Sequence, residues 1–391
     1  MHIDSRLASR LKNVKPSSTL AITSKAKKLK SEGFDIITLA AGEPDFDTPD
    51  FVKSAAIEAI NSGFTKYTPT TGIPELKKLI CEKFKKDNSL EYAPSQVVVS
   101  CGAKHSIFNA LFVLVNPQDE VLIPSPYWVS YSEMVNLCDG RPRFVQTLAG
   151  NNFKITPQEL AANITAKSKL LILNSPANPT GCVYTQEELR QISEICVKNK
   201  LLVISDEIYE KLIYDGLKHA SLGSLNKEIY DLTITVNGFS KSFSMTGWRL
   251  GYLGAPSDIA EAISRLQDHS TSNPNSIAQK AGIAALGAPE SFYQKICQQF
   301  QERRDYCIAR IKAMPKITPV VPEGAFYIFC DISKTKLGAM EVANQLLEKK
   351  YLSVIPGDGF GEDHYIRISF AASLDNLKKG MDRLEEWLKD G

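Results

Sequence analysis

The stretch Leu201-Leu202-Val203-Ile204-Ser205-Asp206-Glu207-Ile208-Tyr209 decides the fold class. Its apolar run is too short for a helix and shows no polar alternation. It therefore reads as a strand buried on both faces, the pattern of a parallel sheet covered by helices. An Asp placed directly after such a strand is expensive to bury unless a cation meets it. Either a structural Arg or Lys or the protonated nitrogen of a heterocycle can be that cation.

Four more runs of the same kind surround it: Gln96–Ser100, Glu120–Pro124, Leu170–Asn174 and Leu232–Asn237. Amphipathic stretches lie between them. Gln186–Lys198, for example, carries Leu189, Ile192, Ile195 and Cys196 at helical spacing. From about residue 95 to 255 the chain thus reads as α/β, a mostly parallel sheet with helices. The C-terminal part has a different texture. Ser291–Ile311 reads as a long helix, Ala325–Cys330, Ser353–Ile355 and Tyr365–Ser369 as strands, and Met340–Lys349 and Asn376–Leu388 as helices. With 391 residues the chain exceeds one compact unit. The expected division is a large domain over 46–290 and a smaller α+β domain from 1–45 plus 291–391, with a mobile N-terminal segment.

Bulk properties mainly exclude. Lys and Arg number 46 against 44 Asp and Glu, a net charge of +2, so no nucleic-acid or membrane-surface partner is expected. The eight cysteines are scattered and form no Cys-x-x-Cys pair, which favours reduced thiols over a disulfide framework or a metal site. The first residues form no apolar signal core, and no run of about 18 apolar residues could span a bilayer. A cytoplasmic location is expected.

Ligands of open parallel sheets gather at the carboxyl ends of strands, so the residues after each strand matter most. Cys101-Gly102-Ala103-Lys104 offers small residues at a strand-to-helix turn, which serve either as a packing turn or as an anion nest. In Ser125-Pro126-Tyr127-Trp128-Val129-Ser130-Tyr131 the aromatic rings can fill a core or stack on a planar ligand. Ser175-Pro176-Ala177-Asn178-Pro179-Thr180-Gly181 fixes one amide between two prolines, more than a plain turn requires. Finally, Gly238-Phe239-Ser240-Lys241 sets a lysine on a tight turn in apolar company, where its pKa falls and imine chemistry becomes accessible. Arg249, eight residues on, can reach back with a fork suited to phosphate.

Together these residues resemble the class I aminotransferases of pyridoxal-phosphate (PLP) fold type I. The resemblance rests on Asn178 in Asn-Pro-Thr-Gly, Asp206 in Ser-Asp-Glu-Ile-Tyr, and Ser240-Lys241 followed by Gly247-Trp248-Arg249. It extends to Ala41-Gly42-Glu43-Pro44-Asp45-Phe46, Tyr67 in Lys-Tyr-Thr-Pro, and Arg367 in Tyr-Ile-Arg-Ile-Ser-Phe. The subgroup it looks closest to is the bacterial aspartate aminotransferases, some of which accept prephenate. The resemblance implies Lys241 as the Schiff-base lysine and acid–base catalyst, with Asp206 facing the pyridinium nitrogen. It implies Asn178 and Tyr209 at the phenolic oxygen and Trp128 stacked on the ring. Backbone groups of Gly102, Ala103 and Lys104, with Ser240 and Arg249, would hold the phosphate, with Tyr67 reaching in from the second subunit of a homodimer. Gly42, Trp128, Asn178 and Arg367 would surround the amino-acid or 2-oxo-acid substrate, Arg367 clamping its α-carboxylate.

A dicarboxylic substrate needs a further cation. The stretch Ser270-Thr271-Ser272-Asn273-Pro274-Asn275 has no Arg, and the resemblance points instead to Lys104 and to Lys15 in Lys15-Pro16-Ser17-Ser18-Thr19. Lys15 is otherwise the solvated end of an N-terminal arm. Two other functions share part of this pattern: a different fold-type-I enzyme such as a C–S lyase, and a PLP-binding regulator. The regulator is disfavoured because only about 40 residues precede Gly42.

Overall fold

The computed structural model describes residues 6–15 and 18–390. Seven strands form the principal sheet: β2 (Val97–Ser100), β3 (Glu120–Ser125), β4 (Arg141–Gln146), β5 (Ser168–Asn174), β6 (Leu202–Asp206), β7 (Thr233–Gly238) and β8 (Gly251–Gly254). Their order across the sheet is β2-β8-β7-β6-β5-β3-β4. Only β8 runs against the others, pairing antiparallel with both β2 and β7. The five runs read from the sequence are β2, β3, β5, β6 and β7. Strands β4 and β8 carry no such run.

The sheet is buried where its sequence is apolar: every residue of β2 and β7 is inaccessible. Helices cover both faces. Gln186–Asn199 illustrates why they form where they do. Thr185 Oγ1 accepts from the Glu188 amide at 3.2 Å while the Glu188 carboxylate accepts from the Thr185 amide at 2.7 Å, a reciprocal capping box. The helix then buries Leu189, Ile192 and Cys196 and ends at Lys200 in the left-handed conformation.

A second, antiparallel sheet has the order β12-β13-β10-β9, built from β9 (Thr318–Val320), β10 (Tyr327–Asp331), β12 (Ile355–Pro356) and β13 (Tyr365–Ser369). The long helix spans Glu290–Lys312, and Ala339–Lys350 and Leu374–Asp390 are helical too. The N-terminal chain joins this half: β1 (Ile37–Thr38) pairs in parallel with β11 (Leu352–Ser353). Ile22, Ile37 and Leu39 share one apolar core with Phe300, Ile328 and Leu384. Ile208, Tyr209, Leu212 and Tyr214, which follow β6, enter the same core. The chain after β6 therefore links the two sheets, and the space between them opens above the carboxyl ends of the large sheet.

Candidate active site

The parallel register brings the strand ends level. Asn174 lies opposite Asp206, and Asp206 opposite Val236, just before Gly238. Above them is a cavity of about 740 Å³. Of the residues singled out in the sequence, Gly42, Ala103, Lys104, Trp128, Asn178, Asp206, Tyr209, Ser240, Lys241, Arg249 and Arg367 line it. They come from eight separate stretches of chain, brought together by topology.

Gly102, with φ +92°, turns the chain from β2 into helix Ala103–Leu114. A Cβ there would sit 2.6 Å from Arg249 Nη2. One at Gly251 would sit 2.3 Å from the Ala103 nitrogen, so β8 packs directly on this turn. The first amides of a helix have no acceptor within it, and they open here beside Arg249 and the buried Ser240. Arg249 is itself held by the Thr246 carbonyl at 2.9 Å.

Asp206 is 3% exposed. Tyr131 Oη donates to its Oδ2 at 2.6 Å and the Ile208 amide to its Oδ1 at 3.3 Å. No Lys or Arg among the described residues lies within ion-pair distance of it, so the structural cation that the sequence left open is absent. Burial pushes Asp206 up to about 6, against the Tyr131 hydrogen bond. Lys241 moves towards neutrality as well. Desolvation brings it down to about 8, Arg367 and Arg249 push the same way, and Glu43 and Asp206 oppose. Its Nζ donates to the Gly42 carbonyl.

Arg367, on β13, is 5% exposed. It donates from Nη1 to Asn178 Oδ1 at 2.9 Å and from Nη2 to the Ala40 carbonyl at 3.0 Å, and its plane lies 4.2 Å from the centre of the Tyr327 ring. Its Nε is buried without a partner, and among the described residues no carboxylate pairs with it. Desolvation lowers its pKa.

The aromatic run after β3 divides. Tyr127 stacks on Phe144 at 4.7 Å, Trp128 lines the cavity with Lys104 Nζ 4.7 Å from its ring, and Tyr131 lies edge-on to Trp128. Tyr209 Oη hydrogen-bonds Tyr327 Oη at 2.8 Å. Tyr327 and Glu43 are site residues that sequence reasoning missed, and Tyr131, read there as a core or stacking ring, instead bonds Asp206. Trp128 and Tyr131 are three apart at the start of a helix, a spacing that puts side chains on one face.

Two expected residues stand apart. Tyr67 is 90% exposed. Lys15 does not line the cavity; it is exposed, and its backbone amide donates to Glu133 Oε2 at 2.9 Å. Pro16 and Ser17 of the same segment lie outside the described residues. On that side helix Ser18–Ser31 contributes Lys27 to the lining.

These residues suit PLP on structural grounds. A phosphate matches the amide nest and Arg249, a protonated ring nitrogen matches the uncompensated Asp206, and an aldehyde matches an amine with lowered pKa.

The sequence profile described as "Aminotransferase class I and II" matches residues 35–384. The chain is 45% identical to an aspartate aminotransferase of Bacillus subtilis (strain 168) over 389 residues, 98% of this chain and 99% of the relative. It is 44% identical to a probable aspartate/prephenate aminotransferase of Aquifex aeolicus, over 98% of this chain and 99% of the relative. Among solved structures, an aspartate aminotransferase from Rhizobium meliloti superposes with a TM-score of 0.95 at 38% identity, covering 99% of both chains. That of Thermus thermophilus with maleate gives 0.94 at 39% identity, covering 98% of this chain and all (100%) of the other.

Proposed function

Because the chain belongs to the class I and II aminotransferases, a family that uses pyridoxal phosphate, we propose that it moves the amino group of aspartate or glutamate to a 2-oxo acid such as 2-oxoglutarate. Arg367 carries the reading. A buried guanidinium facing a cavity, with no carboxylate and an unpartnered Nε, is costly unless an anionic ligand completes it. The fork suits an α-carboxylate, and Asn178 and Tyr327 fix its plane.

Charge supports a dicarboxylate. Lys27, Lys104, Lys241, Arg249 and Arg367 line the cavity, against Glu43 and Asp206. With Arg249 assigned to phosphate, Arg367 to the α-carboxylate and Lys241 to chemistry, cations remain for a distal carboxylate. Lys104 beside Trp128 is the best placed of them. The Thermus thermophilus relative was solved with maleate, itself a dicarboxylate. Prephenate also carries two carboxylates, and relatives are named for its use; we propose it as a further acceptor.

In this scheme Lys241 would carry the cofactor, which supplies an aldehyde for amine capture and a ring that accepts electrons from Cα. Asp206 holds a negative charge against the ring-nitrogen position, fixed by Tyr131. The backbone of Gly102, Ala103 and Lys104, with Ser240 and Arg249, would bind the phosphate, Asn178 and Tyr209 the phenolic oxygen, and Trp128 would cover the ring. Displaced by the substrate amine, Lys241 would take the Cα proton in its neutral form, which its lowered pKa favours, and return it as an acid.

We further propose a homodimer in which Tyr67 reaches the partner's phosphate site. The exposure of Tyr67, and of Phe51, Ile57 and Ile60 on the helix Asp50–Asn61, is what a subunit contact would relieve. The division into domains 46–290 and 1–45 plus 291–391 is proposed on the same basis as the two sheets. The deciding experiment offers the PLP-loaded chain aspartate or glutamate with a panel of 2-oxo acids. Oxaloacetate formed from aspartate in step with glutamate from 2-oxoglutarate is expected. Elimination products without transfer would overturn the proposal.

A further inference from the structure

The turn from Asp206 to Glu210 faces two ways. Asp206 and Tyr209 line the cavity, while Glu207 and Glu210 point into a separate buried polar cluster. Glu207 is 1% exposed and accepts four hydrogen bonds. Ser205 Oγ and Ser221 Oγ reach its Oε1 at 2.9 and 2.7 Å, and Asn88 Nδ2 and His219 Nε2 reach its Oε2, both at 2.8 Å. Asn88 also donates to Glu210 Oε2 at 2.7 Å and accepts from Lys83 Nζ at 2.7 Å. Lys83 pairs with Glu210, and Asp87 lies between Lys83 and Lys211.

Glu207, Glu210 and His219 present atoms within 4.8 Å of one another, a spacing that a metal ion could use. The donors argue otherwise. Lys83 already supplies the cation at Glu210, and each Glu207 oxygen accepts twice. The cluster is a buried hydrogen-bond network that leaves only His219 Nδ1 of its described side-chain atoms without a partner, and transamination itself has no use for it. Buried carboxylates are costly, and such networks are sensitive to the loss of one member. The Glu207 amide is bonded to the Val236 carbonyl at 2.9 Å, so both ends of this residue tie the turn to its surroundings.

We propose that Glu207, His219 and Asn88 are positioning residues that clamp the turn from behind, fixing Asp206 and Tyr209 against the cofactor and setting the ionisation of the site. The inference rests on reading the cavity as a PLP site. Burial would lower the His219 pKa, but Glu207 and Glu210 outweigh burial and Lys83 and raise it. The groups facing this cluster are Lys83, Asp87, Glu210 and Lys211, with Tyr92 and Tyr252 kept as neutral phenols by burial. Those facing Asp206 are Tyr131, Glu207 and Lys241.

Glu207→Gln tests this directly, since it removes the charge and leaves one oxygen to accept from Asn88 and His219 while its amide must turn to the hydroxyls of Ser205 and Ser221. The measurements are PLP affinity and the pH midpoint of the bound cofactor's absorbance. Glu207→Gln is expected to weaken PLP binding about tenfold and to move the midpoint by at least about half a pH unit. His219→Gln, which can still donate to Glu207 without charge, should do the same to a smaller extent, and it replaces Glu207→Gln should that variant not fold. Lowered thermal stability with unchanged midpoint and affinity would mean a merely structural cluster and overturn the proposal. A wild-type chain that takes up no PLP would overturn the functional reading along with it; a normal wild type with unshifted variants overturns this inference alone.

Discussion

Asp206→Asn separates the stability of this site from its function. Burial lifts the Asp206 carboxyl from its ordinary 3.8 to about 6. At roughly 1.4 kcal/mol per pH unit this is about 3 kcal/mol of destabilisation in the cofactor-free chain. The sign follows from proton uptake. With a raised pKa the folded state binds more protons than the unfolded chain between 3.8 and about 6. Stability therefore falls as pH rises through that window and stays low above it. Asparagine keeps the acceptor for Tyr131 Oη but removes the charge. The cofactor-free variant should therefore be more stable than wild type by about 3 kcal/mol at pH 8, and by about half that at pH 5. For 391 residues the gain at pH 8 corresponds to roughly 4 °C in Tm. Calorimetry of both cofactor-free proteins at equal concentration measures it. The same substitution removes the partner of the ring nitrogen, and activity should drop at least about a hundredfold. A variant no more stable at pH 8, or one whose advantage does not shrink on acidification, would refute the account of Asp206 as an uncompensated buried charge.

Lys241→Ala should abolish transamination, by at least about a thousandfold, and the absorbance of covalently held cofactor, because it removes both the attachment point and the proton carrier; wild-type turnover would sink its assignment. Arg367→Ala should lower kcat/KM for every amino acid roughly ten- to a hundredfold, and Arg367→Lys should recover only part of it, since an ammonium cannot copy the fork; steady-state kinetics decide. Lys104→Ala should cut turnover of aspartate at least about tenfold more than that of a monocarboxylic amino acid. Lys15→Ala, at a residue outside the cavity, should have a smaller effect, and a selective loss as large as that of Lys104→Ala would show that the N-terminal segment reaches the substrate.

Five of the seven large-sheet strands were legible because each is an unbroken apolar run, which only a strand covered on both faces needs. The other two were hidden for physical reasons. Strand β4, Arg-Pro-Arg-Phe-Val-Gln, is a half-exposed edge, and β8, Gly-Tyr-Leu-Gly, is four residues long with Gly at both ends, small enough to pack on the Gly102 turn. Site residues followed the same division. Lys241, Asn178 and Asp206 announce themselves because a polar group after a buried strand demands an explanation. Tyr131 does not, since an aromatic in an aromatic run reads equally as core, and its bond to Asp206 spans 75 positions. The Glu207 network was invisible for a related reason: its partners, Asn88 and His219, sit in unremarkable stretches, and only folding brings them to one point.

The directions of three pKa shifts bear on what must occupy the cavity. Asp206 is pushed up, Lys241 and Arg367 are pushed down, and in each case desolvation is the largest cause. A structural ion-pair network would shift its members towards their charged forms, as Lys83 does for Glu210 against the effect of burial. Here all three move towards neutrality, so the protein holds opposite charges near one another without letting them pair. An occupant that is cationic beside Asp206 and anionic beside Arg367 would relieve the cost of both buried charges. The proposed cofactor and an amino-acid substrate together carry charges of that kind.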